Sequence, residues 1–384
     1  MPDPSLTAPR DLVEVSVAVP TLADVAAGVL ASLGWERFPN RLGLCESRGA
    51  CVLLVDGLGA EALAAHPEQA PFLHAALCRG RVLPAGFPST TATSITSFGT
   101  ACMAGVHGMV GYQMAVPGTA LLLNALHWDT AVDPLAWQPL PTVFEMADAA
   151  GARAVAVAKR EFRDSGLTRA ALRGAEFVGA DVFGEIVAAL HRIFAESRTD
   201  PRRYLVYAYL SDLDWAGHGH GVGSPDWRWQ LRFVDHLVAA IVEALPPGFR
   251  LYVTGDHGMV DVGERIDIES EPDLLADVRL VGGEARVRYL YTADGVSAAV
   301  AARWRDRLDG RAVVLLRDEA IERGWFGPVD DRVRPRIGDV VVALTDDSAL
   351  VCAETRPREA RLAGHHGSLT SAEQYVPLLE FSAE

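Results

Sequence analysis

Four stretches of this chain share one form, a continuous apolar run that stops at a polar tip. They are "ACVLLVDG" (50–57), "ARAVAVAK" (152–159), "RRYLVYAYLSD" (202–212) and "FRLYVTGDHG" (249–258). Runs that are apolar throughout, rather than alternating, suit strands buried on both faces, the condition of a parallel sheet covered by helices. Helical patterns lie between them: "TVFEMADAAG" (142–151), closed by Gly151, "DVFGEIVAALHRIFAE" (181–196), and "SPDWRWQLRFVDHLVAAIVEAL" (224–245), which opens on Ser-Pro-Asp as helix starts prefer. The alternation predicts an α/β fold, a doubly wound sheet with helices on both faces. In such sheets ligands bind beyond the carboxyl ends of the strands.

After "TGDHGM" the pattern changes. Residues 262–350 hold "EARVRYLYT", a helical "SAAVAARWRDRLDG", a strand "GDVVVAL" and turn-rich connections, before the chain returns through "AGHHGSLT" to a closing strand "QYVPLLEF". The expected organisation is a catalytic α/β domain from 1–261 and 351–384, with 262–350 a smaller inserted α/β lobe placed to roof a pocket.

Composition narrows the function. At 384 residues and 49% hydrophobic, the chain has the material for a large core. A formal net charge of -15, with Lys and Arg scattered among more numerous acids, argues against a nucleic-acid polymer as partner. A small phosphorylated substrate stays compatible with that charge if a metal supplies local positive charge. Cys45, Cys51, Cys78, Cys102 and Cys352 form no Cys-x-x-Cys pair and leave one over, so neither a disulfide framework nor a thiolate zinc site is expected. The start "MPDPSLTAPRDLVEV" lacks a basic, then apolar, leader, and no apolar run reaches spanning length. These features lead to the expectation of a cytoplasmic protein without a membrane partner.

The polar tips form a set. Asp56 ends one run; Asp214 and His218 follow another in "DLDWAGHGHG"; Asp256 and His257 stand in "TGDHGM"; His365 and His366 stand in "GHHG". Carboxylates and imidazoles without thiolates are ligands for Zn²⁺ or Mn²⁺. Each has an ordinary alternative: Asp56 as a helix cap, the Gly-His segments as solvated turns. Four clusters at strand tips of one sheet outweigh those alternatives. The segment "GFPSTTATSITSFGTACMAGVHG" (86–108) adds a run of hydroxyls with no charged residue. Many of those hydroxyls suit a buried helix whose side chains bond back to the backbone. "FPST" also presents them at a helix start, where N–H groups and the dipole favour an anion. "DGLGAEA" matches a dinucleotide fingerprint at Gly57, Gly59 and Ala62, but Asp56 would oppose the pyrophosphate and no acid follows at ribose distance.

In order and spacing, "VDGLG", "FPSTTATSITSFGTACMAGVHGMVGY", "DLDWAGHGHG", "TGDHGM" and "GHHG" resemble the type I phosphodiesterase/nucleotide pyrophosphatase family of the alkaline phosphatase superfamily, over roughly residues 50 to 380. The resemblance implies a three-layer α/β/α sandwich. It implies a threonine nucleophile, placed at Thr91 in preference to Thr90 when "VHG" is held in register. It implies two divalent metal ions, zinc before manganese, one held by Asp214, His218 and His366 and the other by Asp56, Asp256, His257 and the Thr91 oxygen. Asp212, His220 and His365 do not fit the family's spacing. The implied activity is hydrolysis of a small phosphate ester, as a phosphodiesterase or nucleotide pyrophosphatase.

One departure bears on specificity. Where many nucleotide pyrophosphatases have Thr-Phe-Pro-Asn, this chain has Thr91-Ala92-Thr93-Ser94, so Ser94 becomes the candidate phosphate donor and an aromatic beside the leaving group is absent. A phosphomonoesterase or phosphonate hydrolase of the same superfamily is the rival reading, and an inactive metal-binding module a more distant one. A monoesterase needs an extra cation, for which Lys159 and Arg160 are the candidates. Tyr112, Trp128 and Trp137 in the loop 112–140 are candidate stacking surfaces, although packing is the commoner role of such residues.

Overall fold

The computed structural model describes residues 12–128 and 131–383. Its centre is a seven-stranded sheet in the order Arg81–Pro84, Tyr375–Ser382, Phe249–Gly255, Gly49–Val55, Tyr204–Leu210, Arg153–Ala158 and Glu176–Gly179. Gly49–Val55 pairs in parallel with both Tyr204–Leu210 and Phe249–Gly255, and all three are continuous apolar runs buried nearly throughout. Only Tyr375–Ser382 runs against its neighbours.

Side chains alternate across this sheet, as strand geometry requires. Ala50, Val52 and Leu54 join a core with Val25, Leu30, Ile95 and Phe98, whereas Cys51, Leu53 and Val55 face Ile186, Leu190, Val234 and Val238. Two helical layers therefore enclose the sheet, the three-layer α/β/α sandwich expected. The predicted helices occur as Val143–Ala149, Phe183–Ser197 and Pro225–Glu243. The last begins with Pro225 in its first turn and the Ser224 hydroxyl accepting from the Trp227 N–H.

A second sheet, Val278–Glu284, Val287–Thr292, Val340–Leu344 and Ala312–Leu316, is antiparallel and carries the helix Ser297–Leu308 on a separate core of Leu290, Val300, Trp304 and Val342. All five cysteines are free. Among the described residues no helix is long and apolar enough to cross a membrane.

Register decides what meets at the carboxyl edge. Val55 lies opposite both Leu210 and Gly255, so Asp56 and Asp256 leave the sheet from adjacent strands at the same level. The segment after Leu210 is not the loop its glycines suggest but a helix, Asp212–His220, which brings Asp214 and His218 onto one face as an i, i+4 pair.

Candidate active site

Three carboxylates converge at this edge, and each turns one oxygen inward without a partner. Asp56 accepts from the Tyr209 hydroxyl through Oδ2, leaving Oδ1 free of hydrogen bonds. Asp256 accepts the N–H groups of Gly57 and His257 through Oδ1, both at 3.0 Å, leaving Oδ2. Asp214, in the first turn of its helix, leaves Oδ1. Gly57 has φ 73°, and a Cβ there would lie 3.0 Å from the Asp214 Cα, so the close approach of the two segments needs glycine. Burial, reinforced by Asp256 and Asp214, pushes the Asp56 carboxyl well above the usual carboxylate range. Three acids facing one point, two of them fully buried and Asp214 partly so, are electrostatically costly without a cation.

The imidazoles complete the arrangement. His218 donates Nδ1–H to the Gly364 carbonyl at 2.7 Å, His257 to Gly258 at 3.0 Å, and His366 to Ser89 at 2.9 Å. In all three the tautomer is thereby set, and the Nε2 lone pair is left to face the carboxylates. His257 Nε2 stands 3.4 Å from Asp56 Oδ1 and 3.5 Å from Asp256 Oδ2; His218 Nε2 is 3.3 Å from Asp214 Oδ2; His366 Nε2 is 3.8 Å from Asp214 Oδ1. The His257 and His366 rings stack at 3.5 Å between centroids and 12° between planes. Burial, then His257 and His218, hold His366 well below the ordinary imidazole value, hence neutral. Neutral imidazole with its second nitrogen tied to a carbonyl is the state a metal ligand requires. Two triples come close enough to share an ion, Asp214, His218 and His366 in one and Asp56, Asp214 and His257 in the other, so Asp214 stands between them. Unpartnered carboxylate oxygens and oriented Nε2 atoms together fit divalent cations with N and O ligands.

The hydroxyl run becomes the helix Thr91–Thr100, every residue of it buried. Its hydroxyls are small enough for that position and find partners: Thr96 and Thr100 bond the carbonyls four residues back, and Thr93 bonds Met109. Ser97 meets His107 at 3.0 Å; because His107 Nδ1 accepts from the Met109 N–H, its Nε2–H is the donor to Ser97. The two candidate nucleophiles face different ways. Thr91, the first helical residue, places Oγ1 3.2 Å from His257 Nε2, inside the ligand cluster. Thr90, the N-cap, lies instead beside the carboxyl of Glu284, which reaches in from the second sheet. Ser94 donates its only hydroxyl proton to the Asp256 carbonyl at 2.7 Å, tying the helix to the loop that carries the ligands.

Other singled-out residues lie elsewhere. His220 is exposed at its helix end and His365 bonds the Glu359 carbonyl. Lys159 holds Asp212 at 3.1 Å, and Arg160 is engaged by Asp181 and Glu185 in an exposed network. Trp137 packs under Arg336, Trp128 donates to the Val132 carbonyl, and the Tyr112 hydroxyl accepts from Asn124. Tyr209 and Ser89, which orient Asp56 and His366, carried no sequence signal, one being an aromatic in an apolar strand and the other acting through its carbonyl.

Comparison with known proteins follows this geometry. The family model described as type I phosphodiesterase / nucleotide pyrophosphatase matches residues 50–369. No curated protein matches. Among solved structures, murine ectonucleotide pyrophosphatase/phosphodiesterase 5, an inactive form in complex with AMP, superposes with a TM-score of 0.68 at 19% identity, over 87% of each chain. The human counterpart gives 0.69 at 17% identity, again over 87% of each chain. Phosphonoacetate hydrolase from Sinorhizobium meliloti, in complex with phosphonoformate, gives 0.67 at 22% identity, over 88% of this chain and 91% of that one. These likenesses are likenesses of fold.

Proposed function

The chain belongs to the type I phosphodiesterase/nucleotide pyrophosphatase family, hydrolases of phosphoric ester or anhydride bonds, and from that premise we propose that it is a zinc-dependent phosphodiesterase or nucleotide pyrophosphatase with Thr91 as nucleophile. Asp214, His218 and His366 would hold one ion, and Asp56, Asp256, His257 and the Thr91 oxygen a second; Mn²⁺ suits the same ligands. When bound, such ions lower the pKa of a coordinated hydroxyl and neutralise charge on a transferring phosphoryl group.

The chain's own residues then have distinct tasks. Thr91 Oγ1 gives up its proton and attacks phosphorus as the bond to the leaving oxygen breaks, and water then cleaves the phosphothreonine to restore the hydroxyl. The first turn of the helix, with N–H groups free of intrahelical carbonyls and its dipole, receives the non-bridging oxygens. Tyr209 fixes Asp56, and the backbone N–H groups of Gly57 and His257 fix Asp256. Ser94 acts by holding the helix against the Asp256 carbonyl rather than as a phosphate donor. Residues 262–350 form the lobe that roofs the site, a reading supported by Glu284 lying against Gly367 and Thr90.

The observation that carries this reading is the cluster of three unpartnered carboxylate oxygens and three oriented Nε2 atoms, with Thr91 Oγ1 3.2 Å from one of them, His257 Nε2. Its test pairs metal content with turnover of bis-p-nitrophenyl phosphate. Wild-type protein is expected to bind zinc and turn over, and Thr91→Ala to keep the zinc and lose turnover; an active Thr91→Ala protein overturns the assignment. One observation favours the alternative, a phosphomonoesterase or phosphonate hydrolase. Lys159, the only lysine in the chain, is held half-buried by Asp212, two residues before Asp214. Faster hydrolysis of p-nitrophenyl phosphate than of the diester would select that reading.

A further inference from the structure

Of the ion pairs that link the second sheet to the catalytic body, the one made by Arg286 is buried on both sides. Arg286 sits in the tight turn between Val278–Glu284 and Val287–Thr292, and its side chain, like that of Glu373, is fully buried. Arg286 Nε and Nη2 each donate to one Glu373 oxygen at 3.0 Å, and Nη1 donates to the Ser348 carbonyl. Glu373 has further work for both oxygens: Oε1 accepts the Ser368 N–H at 3.0 Å and Oε2 the Thr370 hydroxyl at 2.6 Å. Its backbone carbonyl accepts the Gly258 N–H at 2.8 Å.

These contacts fall on two particular loops. Gly258 directly follows His257, and Ser368 follows His366 by two residues. The Ser368 carbonyl in turn accepts from the Ser89 hydroxyl at 2.8 Å, and Ser89 is the residue whose carbonyl orients His366. A buried ion pair is weak evidence for stability, because apolar replacements of the same volume often do as well. A fully satisfied bidentate pair does fix geometry.

We propose that Arg286 and Glu373 are positioning residues: the pair holds the loops bearing His257 and His366 at ligand spacing, so that the second sheet sets the metal affinity of the catalytic centre. This rests on the reading of both histidines as metal ligands.

The test is equilibrium dialysis of the full chain against Zn²⁺ and Co²⁺, with the visible spectrum of the cobalt-loaded protein and the melting of the metal-free protein recorded alongside. Arg286→Lys keeps the charge and loses the two-pronged geometry. Measured below its own metal-free melting temperature, it is expected to bind metal about 10–100-fold more weakly, the range found for outer-shell substitutions, and to show an altered cobalt spectrum. A purely structural pair would lower the melting temperature and leave both readouts alone. Folded Arg286→Lys protein with wild-type affinity and spectrum overturns the inference. If that variant does not fold, Thr370→Val removes one bond to Glu373 and leaves the ion pair. A smaller loss of affinity is then expected, and no change overturns the inference. Wild-type protein that binds no metal would instead overturn the reading of the site itself, a result these variants cannot mimic.

Discussion

The Tyr209 hydroxyl donates to Asp56 Oδ2 and so decides which of the two carboxylate oxygens faces His257. Tyr209→Phe removes that donor with little change of volume. The carboxylate gains a rotation it does not have in the native protein. Zinc affinity is expected to fall by roughly tenfold or more, with the fold intact by circular dichroism. Unchanged affinity in a dialysis titration would show that Asp56 is oriented by something else.

Thr90 and Thr91 are neighbours with different surroundings, and the two alanine variants separate them. Thr91→Ala is expected to lose at least about a thousandfold in turnover, since removing a nucleophile leaves only binding and electrostatic stabilisation. Thr90 makes no capping hydrogen bond, so Thr90→Ala removes only the contact with Glu284, and is expected to cost about 1 kcal/mol of stability or less while most activity survives. The reverse order of effects in single-turnover assays would move the nucleophile to Thr90.

Ser94→Ala asks whether that hydroxyl braces or binds. Losing its bond to the Asp256 carbonyl is expected to cost about 1–2 kcal/mol in a denaturant titration, with KM for a diester nearly unchanged. A raised KM with unchanged stability would restore Ser94 as a phosphate donor.

Acid should destabilise the protein partly through His107. Burial, with Arg332 and Arg336 adding repulsion, holds its imidazole down to about 3, against an ordinary value of 6.5. The unfolded chain therefore takes up a proton that the folded chain refuses, so stability falls as pH drops from about 6.5 towards about 3. At pH 4.5 this one group accounts for roughly 2–3 kcal/mol. In His107→Gln protein the loss between pH 7 and pH 4.5 is expected to be smaller by about that amount. An identical pH slope in urea titrations would remove His107 from the acid response.

Much of this was readable from the chain because burial on both faces leaves few polar residues inside a strand, which makes an Asp or His directly after the run conspicuous. Asp56, Asp256 and His257 were visible for that reason. The opposite condition hid Tyr209, whose ring belongs in an apolar strand and whose hydroxyl acts only at the end of it. Order in the sheet was not legible either, since nothing local tells Gly49–Val55 that its neighbours lie at Tyr204–Leu210 and Phe249–Gly255. The helix after Leu210 was not legible because its glycines disfavour a helix by propensity, whereas packing at Gly217 against Met259 demands the missing side chain. Arg286 and Glu373 stand far apart in sequence, and only the folded chain shows that they meet.

The strand Tyr375–Ser382 lies between Arg81–Pro84 and Phe249–Gly255, so an early strand can join the main sheet only after a late one has entered. Growth in chain order is therefore closed to this sheet, and its completion waits on contacts of high sequence separation. His366 arrives on that same late segment. In refolding from denaturant, helical signal should recover before catalysis, and chains arrested short of the insertion would present an open sheet edge, the form most prone to aggregate.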